Sequence, residues 1–375
     1  MEKLFIPYRI CPIGAHSDHQ HGLVSGFAIN QGINLTYEPS GDSVCTVSSQ
    51  NFPNTYTFPL NNIPERQRDW ADHLRGAALS LLKHHHLTTG ITVNIKGQLP
   101  IGGLSSSAAV IIAFISALAT VNNIDIQPAE LIDLSLQAEN NYVGVSCGKL
   151  DQSCITYSRK DHLLYLDTKD DTYQLIPRSA NCPPFEIAIF FSGIERTLAD
   201  SGFNMRVDEL KSAAYALMAY TDIPYGKFSE ARLRYVPRDV FETYKAKLPT
   251  NWRKRATHFY TEFERVRQGV EAWKNGDLVT FGQLVFESGW SSIFNYETGN
   301  PQLIKLYDIM RDTAGIYGGR FSGAGFKGCC MALVNPEYKE SIAEKVERKY
   351  LTVFPELRGK FSIHWCQTAD GCGTG

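Results

Sequence analysis

The chain lacks any apolar run of the roughly 20 residues that a membrane-spanning helix requires. Its longest such stretch, residues 108–121, is rich in small and aliphatic side chains and suits a packed internal helix. Charge of one sign is also missing, since 37 Lys and Arg stand against 39 Asp and Glu for a formal net of −2. That balance supplies no long-range field of the kind that gathers nucleic acid or an anionic membrane surface, so the expected partner is a small molecule. No low-complexity tract or internal repeat interrupts the sequence. With 43% hydrophobic and 20% charged residues it has the composition of a globular protein and not that of a disordered one. Pro7 and Arg9 fall before any apolar run long enough for a signal peptide, so no export is expected. Nine cysteines, an odd number with Cys329 and Cys330 adjacent, argue for reduced thiols in the cytoplasm and against a disulfide framework.

What is present reads as a mixed α+β protein. At 375 residues two domains are the default, and the break at Asn181-Cys182-Pro183-Pro184 divides the chain into 1–182 and 183–375. Residues 90–98 alternate Ile, Val and Ile with polar side chains, the period of a half-buried strand. A Gly-rich turn follows, and from Ser105 onward comes a helix-length run of Ala, Ile and Leu. Pro128 opens a second helical pattern with Glu139 near its far end, and a bend through Gly144 and Gly148 follows. The second half carries helical patterns at 212–220 and 257–273, then a Gly-rich strand-turn at 315–330. The triple His84-His85-His86 reads as a solvated helix end, because consecutive histidines point in different directions and cannot chelate together from a helix.

Four constellations carry chemistry. In Pro100-Ile101-Gly102-Gly103-Leu104-Ser105-Ser106-Ser107 the glycines let backbone approach a ligand, and three hydroxyls stand at a helix start. Such a site suits phosphate, and a serine there can reach Mg²⁺; the plain alternative is a serine-capped core helix. The loop has no lysine, which excludes the common Gly-Lys-Ser/Thr phosphate loop. Glu139 and Asp151, twelve residues apart, could divide metal binding from proton removal, or could be solvated helix ends. Residues 9–21 form a polar loop able to bracket sugar hydroxyls; His16, His19, His21 and Asp18 also permit a zinc reading, although no helix places them with a third distant ligand. Residues 318–330 are Gly-rich, as a ligand loop or a tight hairpin would be.

Taken in order, the three glycine-bearing motifs resemble the signature motifs of the GHMP kinases, and the first resembles the sugar loop of the galactokinases. Within that branch the sequence is most similar to galacturonokinases, through Pro7-Tyr8-Arg9-Ile10-Cys11-Pro12, Gly14-Ala15-His16, Asp18-His19-Gln20, Ser291-Ser292-Ile293 and Arg320-Phe321-Ser322-Gly323-Ala324-Gly325-Phe326. The resemblance implies an N-terminal domain like the second domain of ribosomal protein S5, a C-terminal ferredoxin-like domain and an active site between them. It implies ATP-dependent phosphorylation of the anomeric hydroxyl of galacturonic acid. A galactokinase or another sugar-1-kinase is the alternative, and a non-enzymatic sugar sensor of the same fold is the alternative of another class. Asp151 would be the base, with Arg9 beside it. Ser107 and Glu139 would ligate Mg²⁺, and Gly102, Gly103, Leu104, Ser105, Ser106 and Ser107 would cradle the phosphates. Trp70 and His73 would flank adenine, although the family more often has tyrosine where His73 stands. Ala15, His16, Asp18, Gly148, Asp151 and Phe203 would contact the sugar. Two of these depart from galactokinases, which carry tyrosine where Phe203 stands and, where Ala15 stands, a glutamate facing the C6 hydroxyl. Alanine there removes a charge that would repel a C6 carboxylate. Arg196, Arg206 and Lys149 are the candidate cations for that carboxylate. A monomer or weak homo-oligomer in the cytoplasm completes the expectation.

Overall fold

The computed structural model describes residues 1–373 apart from 101, 195–201, 222, 225 and 327. The first sheet contains β1 (Glu2–Ile10), β2 (Leu23–Pro39), β3 (Val44–Ser49), β4 (Tyr56–Pro59), β5 (Ile91–Gly97), β6 (His162–Asp167) and β7 (Thr172–Pro177). β2 organises it, because its 17 residues give room for several partners along one strand. It pairs with β6 at its start, with β1 along its middle and with β5 at its end, all antiparallel.

Helices α2 (Ser106–Val121) and α4 (Leu150–Tyr157) pack on this sheet, and α1 (Asp72–Leu82) and α3 (Pro128–Gln137) pack over α2. α2 is apolar on nearly every side, and Ile111, Ile112, Phe114, Ile115 and Leu118 are fully buried. A helix of that composition is stable only inside a core, where each such side chain contributes about 1.5–3 kcal/mol. Its amino end, which bears the serines, is thereby held rigidly. The histidine triplet lies just past α1, where His85 pairs with Glu130 at 2.6 Å.

The second sheet has the order β11-β8-β10-β9, with β8 (Glu186–Phe191), β9 (Ile316–Phe321), β10 (Cys329–Val334) and β11 (Ser362–Cys366) all antiparallel. Helices α5 (Phe203–Ala219), α6 (Arg238–Tyr244), α7 (Thr250–Lys274), α8 (Leu278–Phe294), α9 (Pro301–Arg311) and α10 (Lys339–Val353) accompany it. Both faces of the sheet are buried, and successive side chains enter different cores. Cys329, Met331 and Leu333 of β10 join the core shared with the first sheet, while Cys330, Ala332 and Val334 join the core beneath α9 and α10. Neighbouring Cys329 and Cys330 therefore point apart, and all nine cysteines are free thiols. The last strand, β12 (Thr368–Ala369), crosses back to pair with Ala28 and Ile29 of β2, so the chain's end belongs to the first sheet.

Candidate active site

An open cleft lies where the amino end of α2 meets the loop after β1 and the turn after β9. Gly102 and Gly103 take φ of +133° and +89°, conformations that side chains rarely adopt. A Cβ on Gly102 would stand 2.9 Å from the Cα of Gly328, and one on Gly103 would stand 2.8 Å from the Ser322 carbonyl oxygen. The first and third Gly-rich motifs are thus stacked backbone on backbone, which only glycine permits.

Ser105 precedes α2 in a left-handed conformation, φ 58°, and its side chain caps none of the helix's N–H groups. It donates instead to Asp151 Oδ2 at 2.5 Å, which leaves the positive end of the α2 dipole directed at the cleft. Ser107 Oγ donates to Glu139 Oε1 at 2.7 Å, and Gln152 Nε2 donates to Glu139 Oε2 at 2.8 Å. Glu139 sits in a π-helical turn, Ala138–Val143, that prolongs α3; the widened turn replaces the plain helix end expected from the pattern. Arg9, 3% exposed at the end of β1, donates to Asp151 Oδ1 from Nε at 2.8 Å and lies 2.7 Å from it through Nη2. Its Nη1 reaches the Gly103 carbonyl at 3.1 Å, so one guanidinium ties the acid to the phosphate-loop backbone.

The loop after β1 forms the opposite wall with Ala15, His16 and Asp18, closed by Gly148 and Phe203. Asp18 Oδ2 accepts from Leu150 N at 3.2 Å. Burial, then the charge of Asp151, pushes its carboxyl up to about 6. Gly148 is obligatory beside it, since a Cβ there would lie 2.5 Å from Asp18 Oδ2. His16 stacks on Tyr296 with ring centroids 4.2 Å apart, and its Nε2 is buried with no hydrogen-bond partner. Burial, then the nearby His258, keeps His16 well below its ordinary pKa and therefore neutral.

The structure gathers Arg9, Ala15, His16, Asp18, Gly102, Gly103, Ser105, Ser106, Ser107, Glu139, Gly148, Asp151 and Phe203 around the one cleft. Leu104 is buried beneath the loop and contributes its carbonyl, which accepts from Arg9 N at 3.4 Å. Trp70 and His73 do not line the cleft: Trp70 Nε1 donates to the Pro53 carbonyl at 3.0 Å with its ring stacked on Phe52, and His73 Nδ1 lies 3.2 Å from the Trp70 carbonyl. His19 shares His16's aromatic neighbours, with Nε2 3.3 Å from the Tyr296 hydroxyl, whereas His21 Nδ1 lies 3.0 Å from the Tyr235 hydroxyl. Among the described residues no three His, Cys, Asp or Glu are arranged to hold a metal ion. Of the candidate carboxylate receptors, Lys149 is occupied by Asp133 and Asp171 at 2.8 Å each, and Arg206 by Glu209 at 3.2 Å. Arg196, with Ile101 and Lys327 of the Gly-rich motifs, lies outside the described residues.

Sequence reading missed the support behind the sugar loop. From α7, His258 Nε2 lies 3.0 Å from the Ala15 carbonyl, and one turn later Glu262 Oε1 accepts from Gly14 N at 2.7 Å. Glu262 and Arg320 are both fully buried and meet through Ser288. Burial alone would raise the Glu262 carboxyl, but Arg265, His258 and Arg320 together hold it down to about 2. The only signal was a histidine and a glutamate four residues apart on a long helix, which is a common surface pattern.

The chain matches two family descriptions, "GHMP kinases N terminal domain" over residues 72–159 and "GHMP kinases C terminal" over residues 270–352. It is 38% identical to a galacturonokinase from Arabidopsis thaliana, over 97% of this chain and 91% of that one. It is 33% identical to a galactokinase from Roseiflexus sp. (strain RS-1), over 98% and 91%. Among solved structures, Lactococcus lactis galactokinase complexed with galactose superposes with a TM-score of 0.90 at 27% identity, covering 99% of this chain and 94% of that one. Methanococcus jannaschii mevalonate kinase shares the fold at a TM-score of 0.69, with 16% identity over 98% of both chains.

Proposed function

The chain belongs to the GHMP kinases, in their galactokinase-like branch, and from that premise we propose that it transfers the γ-phosphate of ATP to the anomeric hydroxyl of galacturonic acid. The observation that carries the chemistry is Asp151, held by Arg9 and Ser105 in the same cleft as the Ser107–Glu139 pair. Asp151 accepts the anomeric proton while Arg9 fixes its orientation and sets positive charge beside the developing negative charge. Residues 102–107 receive the phosphates on open backbone N–H groups and the α2 dipole. Ser107 and Glu139 offer two hard oxygens already within hydrogen-bond distance, a pair that fits Mg²⁺, which takes one or two protein oxygens and fills its shell with phosphate and water. When bound, the ion neutralises phosphate charge. Trp70 and His73, outside the lining of the cleft, are the proposed neighbours of adenine; residues 1–182 supply both facing walls, and Phe203, Phe321, Gly323 and Ala324 from 183–375 complete the lining.

The acidic sugar is supported by Ala15. At the place where the related galactokinases are expected to carry a glutamate, this cleft has a methyl group, and the neighbouring His16 keeps an unpartnered ring nitrogen. Asp18 and Gly148 bracket the sugar hydroxyls beside Phe203. A cytoplasmic setting suits nine free thiols. No described helix is long and apolar enough to cross a membrane. Release of ADP measured with galacturonate, glucuronate, galactose and glucose tests the assignment: the highest kcat/KM is expected for galacturonate. Preference for galactose would make the chain a galactokinase, and absence of ADP release with every sugar would leave a binding role.

A further inference from the structure

A second cavity lies behind the sugar loop, sharing Asp18, Cys147 and Gly148 as a common wall with the catalytic cleft. Its outer lining brings together Lys149, Lys211 of α5 and Arg232. Lys149 is neutralised by its two aspartates, but among the described residues neither Lys211 nor Arg232 makes an ion pair. Arg232 Nη1 donates to the carbonyls of Ser229 and Ala231 at 2.7 and 2.9 Å, while its Nε is buried without any partner. Burial and the charge of Arg232 hold Lys211 below its ordinary pKa, with Asp208, on its own helix, opposing. Burial likewise lowers Arg232, with Tyr235 and Glu230 opposing. His19 and His21, on the sugar-loop side, are each lowered first by burial and then by Arg232.

Two cations that line one partly buried cavity and form no ion pair of their own repel each other, and an anion between them removes that cost. We propose that this cavity binds a small carboxylate- or phosphate-bearing molecule through Lys211 and Arg232, and that its occupancy alters sugar affinity through the shared Asp18–Gly148 wall. Neither the fork of Arg232 nor the ammonium of Lys211 reaches into the catalytic lining, so the site is separate from the phosphate loop. The proposal holds whichever sugar the cleft prefers.

Isothermal titration calorimetry on the full chain tests it, with the phosphate loop saturated by a non-hydrolysable ATP analogue and Mg²⁺. Inorganic phosphate is titrated in one arm and galacturonate in the other. A phosphate isotherm in the wild type that Lys211→Ala weakens roughly tenfold or more assigns the site to phosphate, because a charge-assisted hydrogen bond of that kind is worth at least that factor. A second galacturonate site lost in the same variant assigns it to carboxylate. Lys211→Arg keeps the charge and should keep the binding, and Arg232→Gln should repeat the loss should Lys211→Ala not fold. In the phosphate assignment the ligand shifts the sugar KM of the wild type, leaves kcat at saturating sugar unchanged, and has no effect on Lys211→Ala; in the carboxylate assignment the rate departs from a single-site dependence on galacturonate in the wild type and returns to it in Lys211→Ala. Isotherms for both ligands that are unaltered by Lys211→Ala and Arg232→Gln would overturn the proposal, as would a wild type that binds no phosphate and binds galacturonate only at a site that neither variant alters.

Discussion

Replacing Ala15 by glutamate isolates the charge argument for substrate choice. Ala15 is 6% exposed, its methyl group clusters with Cys11, Val24, Leu150 and Cys154, and its carbonyl is held from behind by His258. The backbone position is therefore fixed from the protein side, and because Ala15 also lines the cleft, that is the open space a longer side chain can enter. Two carboxylates at roughly 4 Å repel by about 4 kcal/mol at an effective dielectric near 20, equivalent to about a thousandfold in kcat/KM. Part of this is relieved by protonation: Asp18, three residues on, is already pushed up to about 6 by burial and by Asp151, and a new carboxyl in the same enclosure is raised for the same reasons. The expected loss for galacturonate is therefore about a hundredfold to a thousandfold at mildly alkaline pH, and it shrinks as acidification neutralises the new group. Galactose, with a neutral C6 hydroxyl that can donate to the new carboxylate, should keep or gain activity. A coupled assay of ADP release on both sugars reads the ratio directly. Equal losses on the two sugars would mean that the substitution only damages the loop, and the electrostatic account of Ala15 would be refuted.

Asp151→Asn should lower turnover by roughly 10²–10⁴-fold while ATP binding stays near wild type; retention of turnover would remove Asp151 as the base. Ser107→Ala, which deletes the hydroxyl bonded to Glu139, should raise the Mg²⁺ concentration needed for half-maximal rate, and an unchanged dependence would take Ser107 out of the metal shell. Glu262→Gln strands the buried Arg320 and should cost about 3–5 kcal/mol in urea unfolding; coincident midpoints would contradict the network. Because the folded-state Glu262 carboxyl is depressed from an ordinary 4.5 to about 2, the stability it contributes is present above 4.5 and is lost as pH falls through about 2. Asp18 is raised, so below about 6 it becomes protonated, and the sugar KM should climb on acidification in the wild type and stay flat in Asp18→Asn.

The glycines, serines and carboxylates of the cleft were legible because each type does locally what few others can. Gly102 and Gly103 take positive φ, the serines stand at a helix start, and the run of Ala and Ile after Ser105 can only be a buried helix. The alternation at 90–98 likewise announced β5, and Pro128 announced α3. These are short-range properties, set by backbone sterics and by the period at which apolar side chains recur, and the sequence by itself determined them. What tertiary structure decided is where the distant groups meet. Whether Ser105 caps its helix or binds Asp151 depends on α4 arriving 46 residues later, and the choice went to Asp151 because Arg9 of β1 fixes that carboxylate in reach. The same holds for Glu262 and His258, which read as ordinary helix-surface residues until α7 packs against the sugar loop and buries them. The pairing of the chain's last strand with β2 and the two cations behind Asp18 that form no ion pair among the described residues belong to the same class. Such contacts join residues up to hundreds of positions apart, and their energies come from burial and charge pairing, which do not exist until the chain has closed on itself.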